Sequence, residues 1–256
     1  MRITRTISEL TLVLRPLRRS SIALVPTMGA FHDGHLSLFR AAREDSDVVV
    51  ASLFVNPTQF AAGEDFERYP RDEARDLELA EQAHVDVLFA PGTDEVFPPG
   101  FQTWVEVEKL GRGLEGDARP GHFRGVATVC LKLFNLVRPQ RAYFGQKDAQ
   151  QAAVIRRMVR DLNVPVEIRV LPTVRDADGL ALSSRNVYLS REERERALAL
   201  PRALATRDPE RARELLRDLD VEYVEVADFE PKVLAAAVRV GSTRLIDNIV
   251  LEGETT

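Results

Sequence analysis

Cysteine is nearly missing from this chain: Cys130 is the only one among 256 residues. An intramolecular disulfide is therefore impossible, no thiolate cluster exists to bind zinc, and a reducing compartment, the cytoplasm, is the expected location. Long apolar runs are also lacking. No stretch approaches the roughly 20 residues of a membrane helix, and the apolar run in MRITRTISELTLVLRPLRRS is too short for a secretory leader. Nor is there an excess of positive charge, since 35 Lys and Arg stand against 40 Asp and Glu, a formal net charge of −5. Such a balance has no general attraction for phosphate backbones, so neither nucleic acid nor a membrane surface is an expected partner. Internal repeats and low-complexity tracts are absent too. What remains is ordinary globular composition, 45% hydrophobic and 29% charged, in a chain long enough for one large domain or one domain with a smaller partner.

Short segments rich in β-branched residues read as buried strands: SIALVP at 21–26, VVVASLFV at 48–55, VDVLFAP at 85–91, RAYFG at 141–145 and VEIRVLP at 166–172. Between them GHLSLFRAAREDS, RDEARDLELAEQAH, HFRGVATVCLKLFNLV and KDAQQAAVIRRMVRDLN carry apolar residues at three- and four-residue spacing, the pattern of amphipathic helices. Strands alternating with helices predict an α/β fold, a Rossmann-like doubly wound parallel sheet that binds ligands at the carboxyl ends of its strands. The pattern changes after Pro172. PTVRDADGLALSSRNVYLS predicts a strand–turn–strand unit with Asp178-Gly179 at the turn, followed by the helical segments REERERALALPRALATR and DPERARELLRDL. VEYVEVADF, AAAVRVG and TRLIDNIVLE then suit antiparallel strands. The expected organisation is a first domain over 1–172 and a smaller C-terminal α+β domain over 173–256.

The chain has only four histidines, and two of them fall in PTMGAFHDGH at 26–35. His32 and His35 sit where the first central strand gives way to a helix. A helix start offers unpaired N–H groups and partial positive charge to a phosphate, Gly34 lets backbone approach closely, and two imidazoles can donate to a leaving pyrophosphate. The same spacing also fits a simpler arrangement, in which His32 caps the helix and His35 packs in its first turn. Zinc is not expected, because two histidines are too few and His84 and His122 stand in unrelated contexts.

H-x-G-H after a first strand resembles the signature of the nucleotidylyltransferase superfamily. The longer string PTMGAFHDGH, followed in order by FVNPTQF, DFERYPR, GLEGDARPGHFRGVATVCLKLFNLVRP, YFGQKDAQQ and DGLALSSRNVYLS, resembles the pantothenate synthetase family, the AMP-forming ligases of pantoate and β-alanine. The likeness covers most of 20–190 and returns weakly at TRLIDNI. It implies an enzyme that uses ATP with Mg²⁺, activates pantoate as pantoyl adenylate with loss of pyrophosphate, and passes the acyl group to β-alanine. A homodimer is the family expectation.

The same resemblance implies residue roles. Met28, Gly29, Ala30, Phe31, His32, Asp33, Gly34 and His35 would line the nucleotide, joined by Gly145, Gln146, Lys147 and Asp148 and by Val174, Leu182, Ser183, Ser184 and Arg185. His35 would be the main catalytic group, with His32 and Lys147 assisting. Gln59 and Gln151 would hold pantoate, Gln59 also lying near β-alanine; spacing alone makes Gln59 an ordinary solvated loop residue. Asp76 is the expected magnesium ligand. The second-domain hairpin carrying SSR would close over ATP and exclude water. Residues 191–232 look shorter than the family pattern, which bears on that closure. Two other functions fit the same fold: an adenylyltransferase for another small acid or phosphate ester, and a nucleotide sensor without catalysis. The uncharged glutamines argue against a phosphorylated acceptor, and the intact His32, His35, Lys147 and Arg185 argue against a mere sensor.

Overall fold

A computed structural model describes residues 1–61 and 63–251. The chain divides into two compact units, Met1–Phe144 with Val154–Leu171, and Gly145–Ala153 with Pro172–Thr256. The stretch 145–153 thus groups with the later part of the chain.

The first sheet has six strands: β1 Arg2–Thr4, β2 Ile22–Thr27, β3 Val48–Leu53, β4 Val87–Phe89, β5 Arg141–Gly145 and β6 Glu167–Leu171, in the order β1-β4-β3-β2-β5-β6. The pairs β1–β4, β4–β3, β3–β2 and β2–β5 are parallel. Alternate residues of the central strands enter separate cores. Ile22, Leu24, Val48, Val50, Val87 and Phe89 pack on one face with Leu10, Leu14, Phe123, Val126 and Phe134. Ala23, Val25, Val49, Ala51, Leu88 and Tyr143 pack on the other with Leu38, Phe39, Ala42 and Ala80. Burial on both faces is why these strands read as unbroken apolar runs rather than alternating ones. From β2 the chain steps outward to β3 and β4, then returns to place β5 on the other side of β2. That reversal is a topological switch point, where parallel sheets form their ligand crevice.

In the second unit β7 Asp220–Asp228, β8 Lys232–Val240 and β9 Thr243–Val250 form an antiparallel sheet. Its core joins Val224, Leu234, Ala236, Val238 and Leu245 to Leu200, Leu204, Ala212 and Leu216. The α/β architecture with a smaller antiparallel unit is therefore the one the sequence pattern predicts. Three elements differ. The sequence pattern does not predict β1, because a three-residue edge strand is too short to read. The strand–turn–strand unit shrinks to a single antiparallel bridge, Arg175 with Ala181, since the residues beyond Ser183 are drawn into the 3-10 turn Ser184–Tyr188 that its hydroxyl caps. REERERALALPRALATR forms two helices, Arg191–Ala197 and Ala199–Leu204; Pro201 has no N–H to bond back to Ala197.

Candidate active site

At the carboxyl end of β2 the chain is latched to β3. Thr27 donates its hydroxyl to the Ser52 carbonyl, and Ser52 Oγ accepts from the Thr27 N–H at 3.2 Å. Gly29 and Ala30 then take positive φ of 87° and 52°, a reversal that a glycine makes without strain. The helix Asp33–Asp45 follows, capped by His32, whose Nδ1 accepts from the Gly34 N–H at 3.1 Å. The Nδ1 of His35 faces the His32 N–H at 3.4 Å, and the two ring centroids are 4.2 Å apart. A neutral imidazole that accepts at Nδ1 carries its proton on Nε2. The capping arrangement and the phosphate-facing arrangement therefore do not compete, because each uses a different ring nitrogen.

Asn56, at the end of β3, caps the 3-10 turn Pro57–Gln59. Gln59 is only 8% exposed, so it is not a solvated loop residue. Its Oε1 accepts from Asn56 Nδ2 at 3.0 Å, and its Nε2 points to Met28 Sδ at 3.1 Å. Within the first unit the fold thus brings Gln59 against Met28, the first residue of the predicted nucleotide loop. The backbone carbonyl of Gln59 lies 2.8 Å from His122 Nδ1 and accepts from Arg119 Nη2 at 3.3 Å.

Asp76, the expected magnesium ligand, bonds to the backbone of the 29–31 loop. It lies on the helix Glu73–Gln82 and is 2% exposed. One carboxylate oxygen accepts from the Ala30 N–H at 2.8 Å and the other from the Phe31 N–H at 2.7 Å. Burial pushes its carboxyl above the usual range against the pull of these two bonds. Asp76 thus clamps the 29–31 loop, each of its oxygens accepting one backbone N–H. Among the described residues no group of three His, Cys, Asp or Glu converges to hold a metal.

In the second unit Gln146–Asp148 form a 3-10 turn ahead of the helix Ala149–Asp161. Lys147 lies in this turn, and Gln151 is half-buried near the helix start. Lys147 Nζ is 3.5 Å from Asp148 Oδ1. Asn248 on β9 anchors this turn: its Nδ2 donates to the carbonyls of Gln146 and Lys147, each at 2.9 Å, and its Oδ1 accepts from Gln146 Nε2 at 3.0 Å. Beside it Asp247 pairs with Arg175 at 2.6 Å. The carbonyl of Val174 accepts from the Leu182 N–H at 3.0 Å, and Ser183 Oγ from the Arg185 N–H at 3.3 Å. Leu182, Ser183, Ser184 and Arg185 are half-buried.

Asn56, Arg119, His122 and Asn248 received no role from the sequence. Asn56 lay inside FVNPTQF and the Arg119–His122 pair inside the long string at 113–139, so the signal existed, but spacing along the chain could not show that 119–122 returns to residue 59. A family model described as pantoate-beta-alanine ligase matches residues 2–250. A pantothenate synthetase of Heliobacterium modesticaldum is 53% identical over an alignment of 280 residues that covers 98% of this chain and 100% of the relative. That relative accordingly contains residues which this shorter chain lacks. Among solved structures, a pantothenate synthetase of Thermus thermophilus superposes with a TM-score of 0.94 at 47% identity, covering 99% of this chain and 100% of that one. The pantoate-beta-alanine ligase of Francisella tularensis, solved in complex with beta-gamma ATP and beta-alanine, superposes at 0.90 with 34% identity and full coverage of both chains. With its parallel sheet, its paired histidines at the end of β2 and this whole-length likeness, the chain belongs to the pantoate–β-alanine ligase family.

Proposed function

We infer that the chain joins pantoate to β-alanine with ATP through a pantoyl adenylate. The observation that carries this reading is the helix start after β2, where both imidazoles face backbone N–H groups with Nδ1, in the unit that buries Gln59 against Met28. A pantoate carboxylate oxygen attacks the α-phosphorus of ATP. The bond from that phosphorus to the bridging oxygen breaks, and pyrophosphate leaves with the electron pair. The neutral amine of β-alanine then attacks the acyl carbon, AMP departs with the former carboxylate oxygen, and the amine proton passes to solvent. Such a reaction asks the protein for alignment and for charge stabilisation rather than a covalent intermediate.

In this reading His35 donates from Nε2 to the departing pyrophosphate, with His32 and Lys147 assisting. Residues 28–35, 145–148, Val174 and 182–185 bind ATP. Gln59 and Gln151 hold pantoate by hydrogen bonds suited to an uncharged hydroxy-acid body, and Gln59 also borders β-alanine. Mg²⁺ arrives as MgATP, carried by phosphate oxygens and water, as this ion commonly is. The reading extends to a homodimer acting in the cytoplasm. Its supports are the family and one cysteine, Cys130, buried with its thiol pushed up to about 12 by desolvation.

The test is incubation with MgATP, ¹⁸O-carboxylate pantoate and β-alanine, omitting each acid in turn. AMP carrying one ¹⁸O, formed continuously only when both acids are present, is the expected result. ADP as product, or AMP formation that ignores pantoate, would overturn the reading in favour of another adenylyl transfer or of none.

A further inference from the structure

The backbone carbonyl of Gln59 is held by two side chains, His122 and Arg119, to which the reaction above gives no part. His122 opens the helix His122–Val137 and is 7% exposed. Its Nδ1 lies 2.8 Å from the Gln59 carbonyl oxygen, and its Nε2 lies 3.2 Å from Arg119 Nη1. A carbonyl can only accept and a guanidinium can only donate, so the ring must donate from Nδ1 and accept at Nε2. His122 is thereby fixed as one neutral tautomer, opposite to that of His32 and His35. Arg119 forks onto Glu64, Nε to Oε1 at 2.8 Å and Nη2 to Oε2 at 2.7 Å. Bidentate pairing of this kind sets direction as well as energy. The charged groups acting on the ring are Arg119, Glu115 and Glu64, and burial followed by the Arg119 charge pushes its pKa down to about 4. One turn further on, Gly125 presses against the same segment. A Cβ there would meet Thr58 O at 2.4 Å and Gln59 N at 2.8 Å, while the Gly125 carbonyl accepts from Asn56 Nδ2 at 3.3 Å.

We propose that His122, locked as its Nδ1–H tautomer by the Arg119–Glu64 fork, is a positioning residue that fixes the Gln59 backbone and so aims the Gln59 amide at pantoate. This rests on the reading that Gln59 holds the acid. His122 itself touches no substrate in this scheme. Its bonds run to the Gln59 carbonyl and to Arg119, so its effect falls first on the acid half of the site and reaches the 28–35 loop only through the Gln59–Met28 contact.

Steady-state kinetics of the full chain with H122A, H122N, H122Q and Q59L, each with a thermal melt, tests the proposal. Loss of one buried hydrogen bond to the carbonyl predicts a pantoate KM about tenfold higher in H122A with the ATP KM near parent. H122N, whose amide N–H falls near the Nδ1 position, restores the pantoate KM to within a few fold. H122Q fills similar volume but directs its amide toward Arg119, and behaves like H122A; it carries the test if H122A does not fold. A parent pantoate KM in H122A or H122Q beside a raised one in Q59L overturns the proposal alone. A parent pantoate KM in Q59L overturns the Gln59 reading and the proposal with it. Equal rises in both KM values without rescue by H122N mark a merely structural role and also overturn it.

Discussion

Asp76 Oδ1 and Oδ2 each hold one N–H of the 29–31 loop, so a change of one oxygen to nitrogen sets donor against donor. D76N is expected to lower kcat/KM for ATP by about 10- to 100-fold, the range for leaving one buried donor unsatisfied, and extra Mg²⁺ should not restore it. Recovery on raising Mg²⁺ would instead favour a metal-ligand role. His122 gives a second expectation at this scale. Its folded pKa of about 4 lies below the ordinary value of 6.5, so between these two values the unfolded chain binds the extra proton and the native state does not. Stability from this group is full above about pH 6.5 and is lost as pH falls toward 4, by on the order of 3 kcal/mol. Denaturant melts of parent and H122N over pH 4–7.5 check this: the parent should lose stability more steeply, and parallel curves would contradict it. His32, His35 and Gln59 were legible as site candidates because they sit in strings whose spacing or likeness carries chemistry. The partners of Asp76 and His122 were not, since the bonds run across 46 and 45 residues for Ala30 and Phe31, and across 63 for Gln59, and tertiary packing alone creates them.

Strands and helices follow from patterns a reader of the sequence can see. β2, β3 and β5 are themselves short runs rich in β-branched or aromatic residues, and their alternate residues fill two cores, which is why their location is predictable to within about two residues. What escaped was set by competition between local bonds: the Ser183 hydroxyl drew its successors into a 3-10 turn, and Pro201 split one long amphipathic pattern. The junction between the helix His122–Val137 and the turn Pro57–Gln59 is equally invisible in sequence, although Gly125 within HFRG marks it. G125A places a methyl group against backbone that cannot swing aside. It should destabilise the fold by about 1–3 kcal/mol, the ordinary cost of overpacking, and raise the pantoate KM more than the ATP KM. A melt and two KM values decide this. An unchanged pantoate KM would show that the turn absorbs the methyl without moving Gln59.

The whole chain is read correctly as α/β from its alternation of apolar runs and amphipathic segments, and the switch point between β2 and β5 puts the His32–His35 helix start where that fold binds ligands. Residues 145–153 group with the later unit, which no composition break announces, because contacts such as Asn248 to the 146–148 turn outweigh continuity of the chain. On the proposed function this helix start drives transfer of AMP to the pantoate carboxylate. The most direct measurement is rapid-quench release of pyrophosphate from MgATP and pantoate without β-alanine, in parent and in H35A of matched melting temperature. Parent protein should release about one equivalent per site in a burst, and H35A should form it about 10²- to 10³-fold more slowly, as for loss of one donor to developing charge. A burst in H35A at the parent rate would contradict the account.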